Sequence, residues 1–85
     1  MVDYTKVPVP YMQEGVRRWV EDGIMPGSFL TAVLANDLTM AVAKADRENL
    51  ENLHGWALFL LNEMPNTMWG SYGALRDWEA YKRVV

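Results

Sequence analysis

Apolar residues recur along this chain at intervals of three and four, the spacing that lays an apolar stripe down one side of a helix. Met12, Val16, Trp19 and Val20 form the first stripe, while Gln13, Glu14, Arg17, Arg18 and Glu21 fill the opposite side. This helix is predicted to begin at Pro10 or Tyr11 and to stop near Asp22-Gly23. Gly15 lies one turn before Trp19 and costs about 1 kcal/mol relative to alanine, which a close packing contact would offset. Ahead of it, Pro8 and Pro10 alternate with β-branched Val7 and Val9. Each proline disfavours helix at the residue before it, so residues 1–10 read as an extended N-terminal segment.

A turn at Pro26-Gly27 leads to Ser28, whose hydroxyl suits a helix N-cap. Leu30, Val33, Leu34, Leu38, Ala41, Val42 and Ala45 then keep one helical phase. Either one helix runs from Ser28 to Ala45 or two short ones meet at polar Asn36-Asp37; Leu34 and Leu38 hold their phase across that pair, which favours the continuous helix. Asp46 is placed to cap a third helix, with Glu48 in its first turn where a negative charge suits the helix dipole. Leu50, Leu53, Ala57, Leu60 or Leu61, and Met64 make its core stripe, widened by Trp56, Leu58 and Phe59. Pro65 ends it. Residues 66–70 form a connecting loop, and Ser71 opens a last helix from Tyr72 to about Val84, with Ala74, Leu75, Trp78 and Tyr81 facing inward.

No segment alternates with a period of two between hairpin turns, and no repeat is present, which argues against a sheet. The predicted architecture is all-α: a single domain over residues 1–85, a small helical bundle of about four helices spanning residues 11–84 behind the extended segment. Its core must be small, because a chain of 85 residues leaves much of its surface wet. There is no cysteine and a single histidine, His54, so disulfides and thiolate or imidazole metal sites are absent as stabilising devices. Self-association is the remaining device, and a homo-oligomer is expected.

Half the residues are hydrophobic and four are tryptophans, more than so small a core is expected to hide, so an exposed aromatic face is expected. The net charge of −3 and the lack of a basic run speak against nucleic acid as a partner. No apolar run approaches the roughly 20 residues of a membrane span, and the N-terminus lacks a signal-peptide core. A cytoplasmic protein is expected.

Nucleophilic catalysis requires a nucleophile beside an oriented base; His54 has no partners in sequence that suggest one. Metal-binding and phosphate-loop motifs are missing. Binding is the expected activity, without catalytic residues, metal or cofactor. Gly27-Ser28 and Gly70-Ser71 each precede a helix, where N–H donors suit phosphate. Adjacent Arg17 and Arg18, with Tyr11, Trp69 and Tyr72 as stacking surfaces, complete a candidate site for a nucleotide-type ligand. The bland reading of the Gly-Ser pairs is turn and cap, and that of Asp37 is an ion pair with Arg17 or Arg18 or a place at the solvent edge. Trp69, in a loop, is the tryptophan expected to meet a partner.

The runs Tyr11-Met12-Gln13-Glu14-Gly15 and Gly23-Ile24-Met25-Pro26-Gly27-Ser28-Phe29-Leu30-Thr31-Ala32-Val33-Leu34-Ala35-Asn36-Asp37-Leu38 resemble small proteins of bacteriophages and prophages. Ala45-Asp46, Asn49, Phe59-Leu60, Asn62-Glu63, Pro65 and Trp69-Gly70-Ser71 continue the pattern. The resemblance carries no active site. It implies a host cytoplasm and an accessory protein that modulates a host process or disarms a host defence. The leading expectation is therefore an inhibitor of a host protein acting through an aromatic-rich helical face. The alternatives are a homo-oligomeric sponge that sequesters a nucleotide-type small molecule, and a minor virion or assembly component.

Overall fold

In the computed structural model, which describes residues 2–84, every regular element is helical. Six α-helices are found among the described residues: α1 (Gln13–Asp22), α2 (Ser28–Leu34), α3 (Leu38–Lys44), α4 (Arg47–Glu51), α5 (Leu53–Glu63) and α6 (Tyr72–Val84). Single 3-10 turns occupy Tyr4–Lys6, Pro10–Met12 and Asn66–Met68. The all-α class is as predicted, and the helix count is higher for one reason. Two helices that apolar phase made continuous are each broken at an asparagine.

The first break falls at Asn36, which takes a left-handed φ of 61°, a conformation asparagine tolerates better than most residues. Asp37 follows as the N-cap of α3, accepting a hydrogen bond from the Met40 amide at 3.3 Å. A residue pair that ends one helix and caps the next outweighs the continuity of a stripe. The break also re-phases α3, so Ala41 is buried while Leu38 and Val42, expected inside, are exposed. The second break is at Asn52, with φ −111° and ψ 19°. Its side-chain amide donates to the Glu48 carbonyl at 2.8 Å, closing α4, and its own carbonyl accepts the Trp56 amide at 2.9 Å. Asp46 caps α4 as predicted, accepting from the Asn49 amide at 2.9 Å.

The N-terminal segment is not a simple extended strand laid outside the bundle. Asp3 accepts hydrogen bonds from the amide and hydroxyl of Thr5 and starts the first 3-10 turn. Val2, Val7 and Val9 are all buried, so the segment closes one side of the core. Pro8 lies so near α5 that a Cβ on Gly55 would stand 3.0 Å from the Pro8 Cβ; glycine permits that approach.

Two tryptophans anchor the interior. Trp19 of α1 is fully buried, and its indole donates to the Met68 carbonyl at 2.8 Å. Its own carbonyl accepts the Trp78 indole at 2.9 Å, so α1 is tied to both the 66–68 turn and α6. Trp56 of α5 packs edge-on against Phe29 and Phe59, with ring centroids 5.9 and 6.1 Å away. Leu75 is the buried contribution of α6, whereas Tyr81, predicted inward, is 54% exposed. No helix among the described residues is long and apolar enough to cross a membrane.

Candidate binding site

The turn Pro10–Met12, the outer side of α1 and the loop from Ile24 to Gly27 enclose a surface concavity of about 330 Å³. Its polar members are Tyr11 and Arg18; Met12, Ile24, Met25, Pro26 and Leu30 supply apolar walls, and Gly15 and Gly27 contribute bare backbone. The concavity lies within reach of the volumes typical of small-ligand sites, which are mostly apolar with a few placed polar groups. Gly15 belongs to the floor: a Cβ there would meet Leu30 Cδ2 at 3.6 Å, ordinary contact. The loop is fixed by Thr31, whose hydroxyl donates to the Pro26 carbonyl at 3.1 Å and whose amide donates to Gly27 at 3.0 Å.

Tyr11 is 57% exposed, yet its ring is held in place. Its hydroxyl donates to the Asp46 carboxylate, and the Asn49 side-chain amide approaches that hydroxyl at 3.5 Å. Asn49 is 2% exposed, and its side-chain oxygen accepts the buried Trp56 indole at 3.0 Å. Asn49 thus binds the buried Trp56 indole and only approaches the Tyr11 hydroxyl on the side of the site. The hydrogen bond to Asp46 is the main reason the Tyr11 phenol is pushed up to about 12. The same bond, with the Asn49 amide second, holds the Asp46 carboxyl below its ordinary value.

The two arginines differ. Arg17 is held by Glu14 and by Glu21, the latter at 3.2 Å, and these pairs raise its already high pKa. Arg18 has one partner, Glu14, with its Nε 3.5 Å away, and its side chain is 56% exposed. Exposed pairs of this kind contribute roughly 0–1 kcal/mol, so Arg18 can turn to a ligand at small cost while Arg17 is committed.

Of the predicted site residues, Tyr11, Arg18 and Gly27 are brought together. Ser28 follows Gly27 but caps nothing with its side chain; Gly27 is the N-cap of α2, with extended φ and ψ. The other cluster does not line this concavity. Trp69 is half-buried and its indole donates to the Met64 carbonyl at 3.0 Å. Gly70, at φ 126°, donates its amide to the Leu34 carbonyl at 2.7 Å, and Ser71 caps α6 through the Ala74 amide at 3.0 Å. The Tyr72 hydroxyl donates to Asp37 at 2.6 Å and is the first cause of that carboxyl's lowered pKa. Asp37 is thus partnered by Tyr72, not by Arg17 or Arg18. These residues join the start of α6 to the α2–α3 break.

Asn49 was missed as a site residue by the reading of the sequence. Its signal was present: a polar residue three after the Asp46 cap, seven before a core tryptophan. No family model, curated protein or solved structure matches the chain. Fold and site together describe a small all-helical protein carrying a concavity whose wall holds one guanidinium and one tethered phenol among mostly apolar side chains.

Proposed function

We propose that this chain is a non-enzymatic binding protein that takes up a nucleotide-type small molecule between α1 and the 24–27 loop. The observation that carries the reading is the convergence of Tyr11, Arg18 and Gly27 on one concavity of about 330 Å³. A base stacks on the exposed Tyr11 ring, the Arg18 guanidinium pairs with phosphate, and Met12, Met25 and Leu30 cover apolar ring edges. In the host setting that the phage resemblance implies, such uptake sequesters a signalling nucleotide in the cytoplasm and blunts a host response.

Thermal unfolding against linear and cyclic nucleotides tests this. A ligand at about a hundred times its Kd adds about 2.7 kcal/mol, or roughly 10–20 °C for a domain of this size. Arg18→Ala and Tyr11→Ala are expected to abolish the shift, and Arg17→Ala, which leaves Glu14 to Arg18 alone, to reduce it. The absence of any shift across the panel refutes the reading.

Inhibition of a host protein is the second reading, favoured by the exposed leucines of α3 and α5. The surface for it is aliphatic rather than aromatic, because Trp19 and Trp56 are buried and the indoles of Trp69 and Trp78 point to backbone carbonyls. Specific recovery of one host protein from lysate, lost on Leu61→Glu, supports it.

A further inference from the structure

Tyr11 is fixed at its backbone and, one bond apart, loose at its side chain. Proline has a locked φ, so Pro10 stiffens the start of the 3-10 turn. Val9 before it is fully buried, and the Met12 amide closes the turn on the Val9 carbonyl at 2.9 Å. The ring, in contrast, is 57% exposed. It borders the concavity at α1 and also a second hollow, of about 700 Å³, at the start of α4. A ring with open space in two adjoining hollows has little packing to fix its side-chain torsions. What fixes them is the hydroxyl, which donates to Oδ2 of Asp46, 35 residues further along the chain.

Asp46 is itself immobilised. It is the N-cap of α4, and its other carboxylate oxygen, Oδ1, accepts the Asn49 amide at 2.9 Å. One side chain thus serves two elements: Oδ1 closes the first turn of α4, and Oδ2 ties the Tyr11 ring to it. Asp46 lines the second hollow and not the concavity at α1.

We propose that Asp46 is a positioning residue for ligand uptake: it holds the Tyr11 ring in its stacking position, so that affinity depends on a side chain outside the concavity. The proposal rests on the nucleotide reading above. Immobilising one side chain on binding weakens affinity roughly 2- to 10-fold. A ring already tied to Asp46 has lost that freedom before the ligand arrives. The sign of the effect separates positioning from electrostatics. Neutralising a carboxylate near an anionic ligand tightens binding, whereas cutting the tether weakens it.

Calorimetric titration of the full chain with linear and cyclic adenosine monophosphate tests this through three variants. Tyr11→Phe keeps the ring and loses the bond. Asp46→Ser keeps an N-cap of similar strength, with its one oxygen engaged there. Asp46→Asn keeps the cap, removes the charge and still offers a polar partner to the phenol. Tyr11→Phe and Asp46→Ser are each expected to weaken binding roughly 2- to 10-fold, and the two together no further than either alone. Asp46→Asn is expected to bind at least as well as the wild type. In the ligand-free protein, scalar couplings of the Tyr11 side chain should show one rotamer, and averaging among rotamers in Asp46→Ser.

Binding unaltered in Tyr11→Phe or Asp46→Ser, or weakened as much in Asp46→Asn as in Asp46→Ser, overturns the inference. A Tyr11 ring that averages among rotamers in a wild-type chain that still takes up nucleotide overturns this role alone and leaves the ligand site standing. A wild-type chain with Tyr11 in one rotamer that takes up neither probe overturns the nucleotide reading, and the role in uptake falls with it.

Discussion

Replacing Asn49 by alanine removes the acceptor that the Trp56 indole N–H meets inside the core. Both residues are sealed from water, at 2% and 1% exposure, and the bond is 3.0 Å long. A buried donor left without a partner costs about 1–3 kcal/mol. The other bonds at Asn49 add little to that figure. The approach to the Tyr11 hydroxyl, at 3.5 Å, lies beyond ordinary hydrogen-bond length. The cap from Asp46 reaches the Asn49 backbone amide, which alanine keeps. Asn49→Ala is therefore expected to lower stability by about 1–3 kcal/mol, a fall of at least about 4 °C in Tm for a domain of this size.

Urea unfolding followed by far-ultraviolet circular dichroism measures the change, and a second background isolates its cause. Phenylalanine has no N–H, so in a Trp56→Phe background the same Asn49→Ala change leaves no orphaned donor. Its cost should shrink there by about 1–2 kcal/mol, the coupling that a double-mutant cycle reports for one buried hydrogen bond. Equal costs in the two backgrounds would refute the reasoning, since the loss would then come from packing or from α4 itself.

Gly23, which closes α1 at φ 66°, is buried against α6, where an added Cβ would stand 2.5 Å from the Lys82 Cβ. Gly23→Ala is expected to cost more than the roughly 1–2 kcal/mol of left-handed strain alone, whereas Gly27→Ala, with open space around it and an ordinary φ of −64°, sets the entropy gain of a stiffer unfolded chain against a poorer N-cap and should cost less than Gly23→Ala; thermal melts compare the two. Asp46 and Asp37 have carboxyls held below 3.8, so their contribution is present above that value and lost as pH falls through the lowered folded pKa. Tyr11 and Tyr4 are pushed up from 10 to about 12, so theirs is complete below pH 10 and lost as pH rises towards 12. Tyr11→Phe should flatten part of both limbs in urea titrations, and unchanged limbs would show that its bond to Asp46 does not contribute.

The first and last helices were legible because their ends carry strong local signals: Gly23 stops α1, and Ser71 opens α6 by accepting the Ala74 amide. Pro65 likewise bounds α5. The middle of the chain was read too simply. Apolar phase predicted one helix over residues 28–45 and a second running from Asp46 to Pro65, yet Asn36 and Asn52 break both. Asparagine's local hydrogen bonding competes with helix at each place, and a stripe of leucines does not record that competition. The cost of the misreading was specific: Leu38 and Val42 were assigned to the core and are exposed.

The site was legible only in part, and charge explains the division. Arg17 and Arg18 are identical as neighbours in sequence, but on a helix they point about 100° apart. That turn gives Arg17 two carboxylates, Glu14 and Glu21, and leaves Arg18 with a share of Glu14 on the rim of the concavity. Glu14 therefore governs the site's charge. With Glu14 shared by both guanidinium groups and Glu21 on Arg17, the charges cancel; a phosphate would compete only with the 3.5 Å Arg18 contact, and Arg17 would remain to neutralise the carboxylate that Arg18 leaves. On this account Glu14→Gln should tighten nucleotide binding through a freer Arg18, while Glu21→Gln, which meets Arg17 and the Tyr4 hydroxyl but not Arg18, should leave it unchanged. Calorimetric titration of the two variants with the nucleotide that shifts the wild-type melt decides the matter, and equal effects of both substitutions would mean that only the overall charge counts.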